Sequence, residues 1–185
     1  GTTIVAVTLD QDMLSIAHVG DSRAYRLEQN NLIPLTVDHS WVSEMQRVHN
    51  LTPEEASSVV AKNIITRALG VKESVEVDYR LIRTKPDEIY ILCSDGLCGY
   101  ADDDEIFQVA RNHRDNLQML VDDLVQMAND RGGSDNVTVV ALQLLEISDS
   151  QLPEIDLITV PSESRELLEY EDSLLAKIAG QRIVR

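Results

Sequence analysis

Three aspartates in this chain of 185 residues lie in turns of a kind that can hold a hard metal ion. Asp21 sits in Gly20-Asp21-Ser22-Arg23, Asp95 in Ser94-Asp95-Gly96-Leu97, and Asp135 in Gly132-Gly133-Ser134-Asp135-Asn136. Each turn adjoins an apolar, strand-like run, and a strand end holds a side chain with little positional error. Mg2+ and Mn2+ prefer carboxylate and water oxygens. A neighbouring Gly lets backbone and water approach closely. Carboxylates converging from several strand ends can hold two such ions about 3.5–4 Å apart, the arrangement that activates water against phosphate esters. An Asp beside Gly is also the ordinary composition of a turn. On residue types alone, a hard-metal site and three unrelated turns both stay open.

The elements that would position these turns follow from hydrophobic pattern. Thr2 to Leu9 is rich in β-branched residues and reads as a buried strand, and Met13 to Val19 reads as its hairpin partner across Gln11-Asp12. Ala24 to Leu27 and Leu32 to Leu35 continue an antiparallel meander. Residues 38–63 leave the sheet as two short helices, the second opening at Thr52-Pro53-Glu54-Glu55 with a Thr cap, Pro at the first helical position and acids in the first turn. Ile64 to Leu69 return the chain to the core. Val75 to Ile82 and Glu88 to Cys93 read as strands around Pro86-Asp87. Asp102 to His113 and Asn116 to Asn129 read as helices. In the second, Leu117, Leu120, Val121, Leu124, Val125 and Ala128 recur at helical spacing, and Arg131-Gly132-Gly133 ends the run. Val137 to Leu145 is the last strong strand. Strand runs, then paired helices, then a strand predict an α+β fold with helices covering sheet faces.

Composition bounds the function class. Hydrophobic residues make up 43% and charged residues 26%, with one Phe and one Trp, so the core rests on Val, Ile and Leu. A net charge of −16 argues against a nucleic-acid partner, since phosphate backbones need a basic surface. Solvated surface carboxylates and carboxylates gathered around divalent cations both fit that excess. The longest apolar run, Val137 to Leu145, is interrupted by Gln143 and falls short of the about 18 residues a membrane helix needs. Cys93 and Cys98 have no Cys/His pairs around them at zinc-site spacing, and a buried free thiol is expected at Cys93. Two cysteines fit a reducing cytoplasm, the expected location. The chain opens on a strand-like run with neither Met nor a basic leader, so upstream sequence is expected.

In chain order the sequence shows GTT, AHVGDSRAYRL, LTVDHSWV, NIITRALG, IYILCSDGLCGY and GGSDNVTVVAL. That series resembles the type 2C, or metal-dependent, serine/threonine protein phosphatases, particularly the compact bacterial ones, from Gly1 to Leu145. The resemblance implies a β-sandwich of two antiparallel sheets flanked by helices, with the family's N-terminal part missing from this chain. It implies residues 1–148 as a partial phosphatase domain, and it leaves 149–185 as an acidic linker or tail with a possible helix at 162–179. It implies hydrolysis of phosphoserine and phosphothreonine in proteins by a water activated at a binuclear Mn2+ or Mg2+ centre, with a third ion in some members.

Residue by residue, the resemblance makes Asp95 and Asp135 ligands of the binuclear centre and Asp21 a ligand of the more weakly held third ion. Asn136 is assigned to orienting a metal-bound water or a ligand carboxylate, with a purely structural turn role equally open. Trp41 to Lys62 match the variable flap beside the active site. The family's acid/base histidine, phosphate-contacting basic residue and bridging Asp-Gly motif belong upstream of Gly1, so no catalytic residue is assigned within this chain, and activity belongs to a longer parent. The substrates implied are phosphoproteins of a serine/threonine kinase. A non-catalytic phosphatase-like regulatory or binding module is the alternative. Arg23 is read as packing or pairing structurally, since strand arginines are amphipathic. His39 is read as a surface or loop residue, and Asp102, Asp103 and Asp104 as helix capping rather than a metal cluster.

Overall fold

Strand β1 (Ile4–Asp10) turns at Gln11 and Asp12 into β2 (Met13–Val19), with Asp10 opposite Met13 and Gln11 at a φ of 54°. A computed structural model describes residues 1–49, 51, 52, 55 and 64–145 of the chain. The other edge of β2 pairs with β5 (Asp78–Arg83), so the first sheet runs β1-β2-β5. β3 (Arg23–Leu27), β4 (Leu32–Pro34), β6 (Ile89–Cys93) and β7 (Val139–Gln143) form the second sheet in the order β4-β3-β6-β7. Every pairing is antiparallel. The expected two-sheet sandwich is present.

Two cores explain the hydrophobic pattern. Between the sheets, Leu14, Ile16 and Ile82 meet Ala24, Tyr90 and Leu144. On the far side of the second sheet, Tyr25, Leu27, Ile89, Ile91 and Cys93 meet the helices. β6 is therefore covered on both faces. That is why Ile89-Tyr90-Ile91-Leu92-Cys93 is apolar without alternation. Val140 on β7 stays 50% exposed, because the described first sheet has three strands to set against four.

The helices form where caps and stripes coincide. α1 (Trp41–His49) has no buried residue, and α2 (Asp95–Cys98) is a single turn. α3 (Asp103–Asn112) starts at a reciprocal capping box, with Glu105 N donating to Asp102 Oδ1 at 2.9 Å and Asp102 N donating to Glu105 Oε2 at 3.1 Å. The acids at 102–104 are thus a helix start, as expected. α4 (Leu117–Asp130) is capped by Asn116, whose Oδ1 accepts from Met119 N at 3.1 Å. It buries Leu120, Leu124 and Ala128 against the second sheet, and each fully buried leucine contributes about 2 kcal/mol.

Four segments differ from the sequence-based reading, the first being β1, expected to be buried, where Ile4 is 43% and Leu9 44% exposed. β5 begins at Asp78 rather than Val75, because its only described partner, β2, ends its register at His18 opposite Asp78. Ile64 to Leu69 do not rejoin the core: they make isolated bridges, Ser40 to Ile65 and Thr2 to Leu69, and leave Ile64 45% exposed. The last strand is shorter, Val139–Gln143 rather than Val137 to Leu145. Of the second helix in the excursion, the described part is the cap: Thr52 N donates to Glu55 Oε2, and Glu55 N to Thr52 Oγ1. The expected helix at 162–179 lies outside the described residues. No described helix is long and apolar enough to cross a membrane.

Candidate metal centre

Asp95 and Asp135 sit on neighbouring turns joined by the backbone and the side chain of Ser94. Ser94 N donates to Thr138 O at 3.0 Å, Thr138 N to Ser94 Oγ at 3.1 Å, and Ser94 Oγ to Asn136 O at 3.2 Å. β6 and β7 are already paired through Cys93 and Val139, so these bonds carry the ladder past the strand ends into the turns. Gly96 completes the fit. A Cβ there would lie 2.9 Å from the Asn136 carbonyl carbon and 3.2 Å from Val137 Cα. The glycine serves close approach, since its φ is not positive.

Asp135 itself is exposed, and its Oδ1 accepts from Asn136 N at 2.7 Å. The group of Asn136 that touches Asp135 is thus its backbone N–H. The loop leading to Asp135 is anchored by Tyr100, whose hydroxyl meets Ser134 Oγ and accepts from Ser134 N at 3.2 Å. Arg131 reaches Tyr100 O at 2.6 Å and Glu105, tying the same loop to the start of α3.

Asp21 is positioned differently. It follows β2 at Gly20, whose φ of +114° is open to glycine and strained for other residues, and whose Cβ site is filled by the Thr3 side chain. His39 holds Gly20 on both sides. Gly20 N donates to His39 Nδ1 at 3.0 Å, and His39 N donates to Gly20 O at 2.7 Å. Because Nδ1 accepts, the neutral ring carries its proton on Nε2, which faces Asp78 Oδ2 at 3.1 Å. Arg67 grips the same carboxylate at 2.6 Å. Burial acts to raise the Asp78 pKa, but the hydrogen bonds from His39 and Arg67 outweigh it and hold it below the ordinary value.

His39 therefore is not a surface residue. It is 6% exposed, under the Asp21 turn. Sequence reading missed it because its partners lie 19 and 39 residues away, at Gly20 and Asp78; the one local hint was its place directly after Asp38. Beside it, His18 is 2% exposed with ring centroids 4.6 Å apart, and burial, then His39, lowers its pKa to about 4. Arg23 pairs structurally, as expected, with Nε and Nη2 donating to Asp38 at 2.8 and 2.7 Å.

The electrostatics link the first two turns. Burial, then the Asp95 carboxylate, raises the Asp21 pKa, so the charge of one turn is felt at the other. Carboxylates, which offer only oxygen donors, suit a hard divalent cation, which keeps water in its shell. Among the described residues, no three His, Cys, Asp or Glu side chains are grouped to hold one ion.

The chain's relatives share this arrangement of strands. Residues 1–137 match the model for protein phosphatase 2C. The chain is 39% identical over 143 residues to the serine/threonine phosphatase stp of Listeria welshimeri, covering 77% of this chain and 56% of that protein. The serine/threonine phosphatase PstP/Ppp of Mycobacterium tuberculosis superposes with a TM-score of 0.72 at 32% identity, over 78% of this chain and 60% of that one. A structure of the PstP catalytic domain in complex with two manganese ions matches with a TM-score of 0.68 at 30% identity, over 78% and 59% of the two chains. The chain spans somewhat more than half the length of these relatives. With a family match over most of its residues and a fold that superposes on those phosphatases, this chain belongs to the protein phosphatase 2C family.

Proposed function

We propose that this chain forms part of a metal-dependent phosphatase that hydrolyses phosphoserine and phosphothreonine in proteins, with Asp95 and Asp135 as ligands of a Mn2+ or Mg2+ pair and Asp21 as ligand of a further ion. The observation that carries this reading is the seating of the Asp95 turn on the Asp135 turn through Gly96; the upward push of the Asp95 charge on the Asp21 pKa supports it. The two-manganese structure of a relative supports the choice of ion. Bound ions would supply Lewis-acid activation of water and screening of phosphoryl charge. The chain's own part is positioning. The β6–β7 ladder holds the Asp95 and Asp135 turns together, the Asn136 N–H orients Asp135, and His39 fixes the turn bearing Asp21.

The substrates we assign are phosphoproteins made by a serine/threonine kinase. Free thiols at Cys93 and Cys98 support a reducing compartment, the cytoplasm. Residues 1–148 are taken as a partial phosphatase domain and 149–185 as an acidic linker or tail with a possible helix at 162–179. Hydrogen exchange tests the last point: slow exchange across 162–179 is expected, and unprotected amides there would remove the helix.

The deciding experiment is Mn2+-dependent release of phosphate from a phosphothreonine peptide by the full-length protein. Activity that vanishes with a chelator, and falls at least about 100-fold in both Asp95→Asn and Asp135→Asn, is the expected result. A folded full-length protein with no activity at any Mn2+ concentration would favour the non-catalytic binding module.

A further inference from the structure

Behind the Asp95 turn lies a pair of thiols that the proposed hydrolysis leaves unused. Cys93 is the last residue of β6, 3% exposed, held in register opposite Arg23 on β3 and Val139 on β7. Cys98 is the last residue of α2 and is half-buried. Both are free, and their Sγ atoms lie 3.4 Å apart. Between them stand Ser94, Asp95, Gly96 and Leu97.

We propose that Cys93 and Cys98 are a peroxide-oxidisable dithiol that closes to an intramolecular disulfide across the Asp95 turn. A disulfide holds its sulfurs about 2.05 Å apart, so the pair must close by roughly 1.4 Å. Cys93 cannot supply that movement, because its strand is paired on both edges and buried on both faces. Cys98 supplies it, at the C-terminal end of a one-turn helix whose first residue is Asp95, where its Sγ otherwise meets the Tyr25 hydroxyl at 3.6 Å. Cys98 is the less buried residue of the two and is the one we assign to meet the hydroperoxide.

The chemistry balances with a hydroperoxide as oxidant. Cys98 Sγ attacks the terminal peroxide oxygen, the O–O bond breaks, and a sulfenic acid forms while the thiol proton leaves with the departing oxygen. Cys93 Sγ then attacks Cys98 Sγ, the S–O bond breaks, and water departs with the second thiol proton. Two thiols are oxidised and one peroxide is reduced. A small dithiol reverses the change by exchange. The reaction needs no metal, so it stands or falls apart from the hydrolysis reading.

Both cysteines fall within one tryptic peptide, Thr84–Arg111, which makes the test direct. The reduced full-length protein is exposed to hydrogen peroxide, quenched with an alkylating reagent, and mapped by mass spectrometry. The expected product is the 84–111 peptide lighter by two hydrogen atoms, unalkylated, and restored to a doubly alkylated form by prior treatment with dithiothreitol. Cys98→Ser, at the half-buried position, should keep the fold and leave Cys93 alkylatable after the same exposure. Double alkylation of the exposed wild-type protein, oxygen added to either sulfur without a link, or a dimer joined through Cys98 would each overturn the proposal.

Discussion

The turn bearing Asp21 and the turns bearing Asp95 and Asp135 are built on opposite principles. The Asp21 turn hangs on side chains: Thr3 fills the Gly20 Cβ site, His39 grips the Gly20 peptide, and Asp78 and Arg67 hold His39. The other two turns are an extension of a strand ladder, joined by Ser94, Asn136 and Thr138 with Gly96 pressed against the Asn136 backbone. Backbone ladders do not titrate. His18, stacked beside His39, and Asp78 do, so the Asp21 side of the site is sensitive to pH and the other to steric bulk.

Steric insertion should give the largest effect. Gly96→Val places a branched side chain into the Asn136–Val137 backbone, and the expected cost is about 4 kcal/mol in urea denaturation. Amides of the Ser94 turn should lose protection while the Gly20 amide keeps its own. Equal loss at both would mean that the two halves of the site are not held separately.

Acid should act on the Asp21 side. His18 has its folded pKa lowered to about 4 from 6.5, by burial first and by His39 second, with Asp78 and Asp38 opposing. Above pH 6.5 both states are neutral there and the group has no effect on stability. Between 6.5 and 4 the unfolded chain takes up a proton that the folded one refuses, so stability falls by up to about 3 kcal/mol. Asp78, with its pKa depressed, adds a loss only at still lower pH, as it protonates. Denaturation midpoints across this range should flatten between pH 4 and 6.5 in His18→Phe. An unchanged slope would remove His18 as the cause.

Smaller effects follow from single bonds. His39→Ala leaves the buried Gly20 N–H without its acceptor and should cost about 2 kcal/mol, read by denaturation together with faster exchange at Gly20 and unchanged exchange at Ser94. Asp102→Ala removes the α3 cap on the other side of the site. A loss of about 1 kcal/mol is expected, without change at Gly20.

Much of this molecule was legible from residue types, and for local reasons. Asp102 and Asn116 announce helix starts because a cap bonds a backbone N–H three residues on. Leu120, Leu124 and Ala128 announce a buried face because helical spacing puts them on one side. The unbroken apolar run of β6 announces a strand covered twice, and the Gly-Asp and Asp-Gly pairs announce turns at strand ends. His39 was read as a surface or loop residue and is a buried loop residue, the start of β5 was placed at Val75, and Ile64 to Leu69 were taken for core, each through a partner distant in sequence. His39 is buried only because β2 ends at Gly20 above it and β5 begins at Asp78 beside it. The 3.4 Å approach of Cys93 and Cys98 likewise depends on how the chain bends into α2 after β6, which spacing alone does not set. Periodicity and capping are written within a few residues; which side chains meet across tens of residues is decided only when the sheets pair and pack.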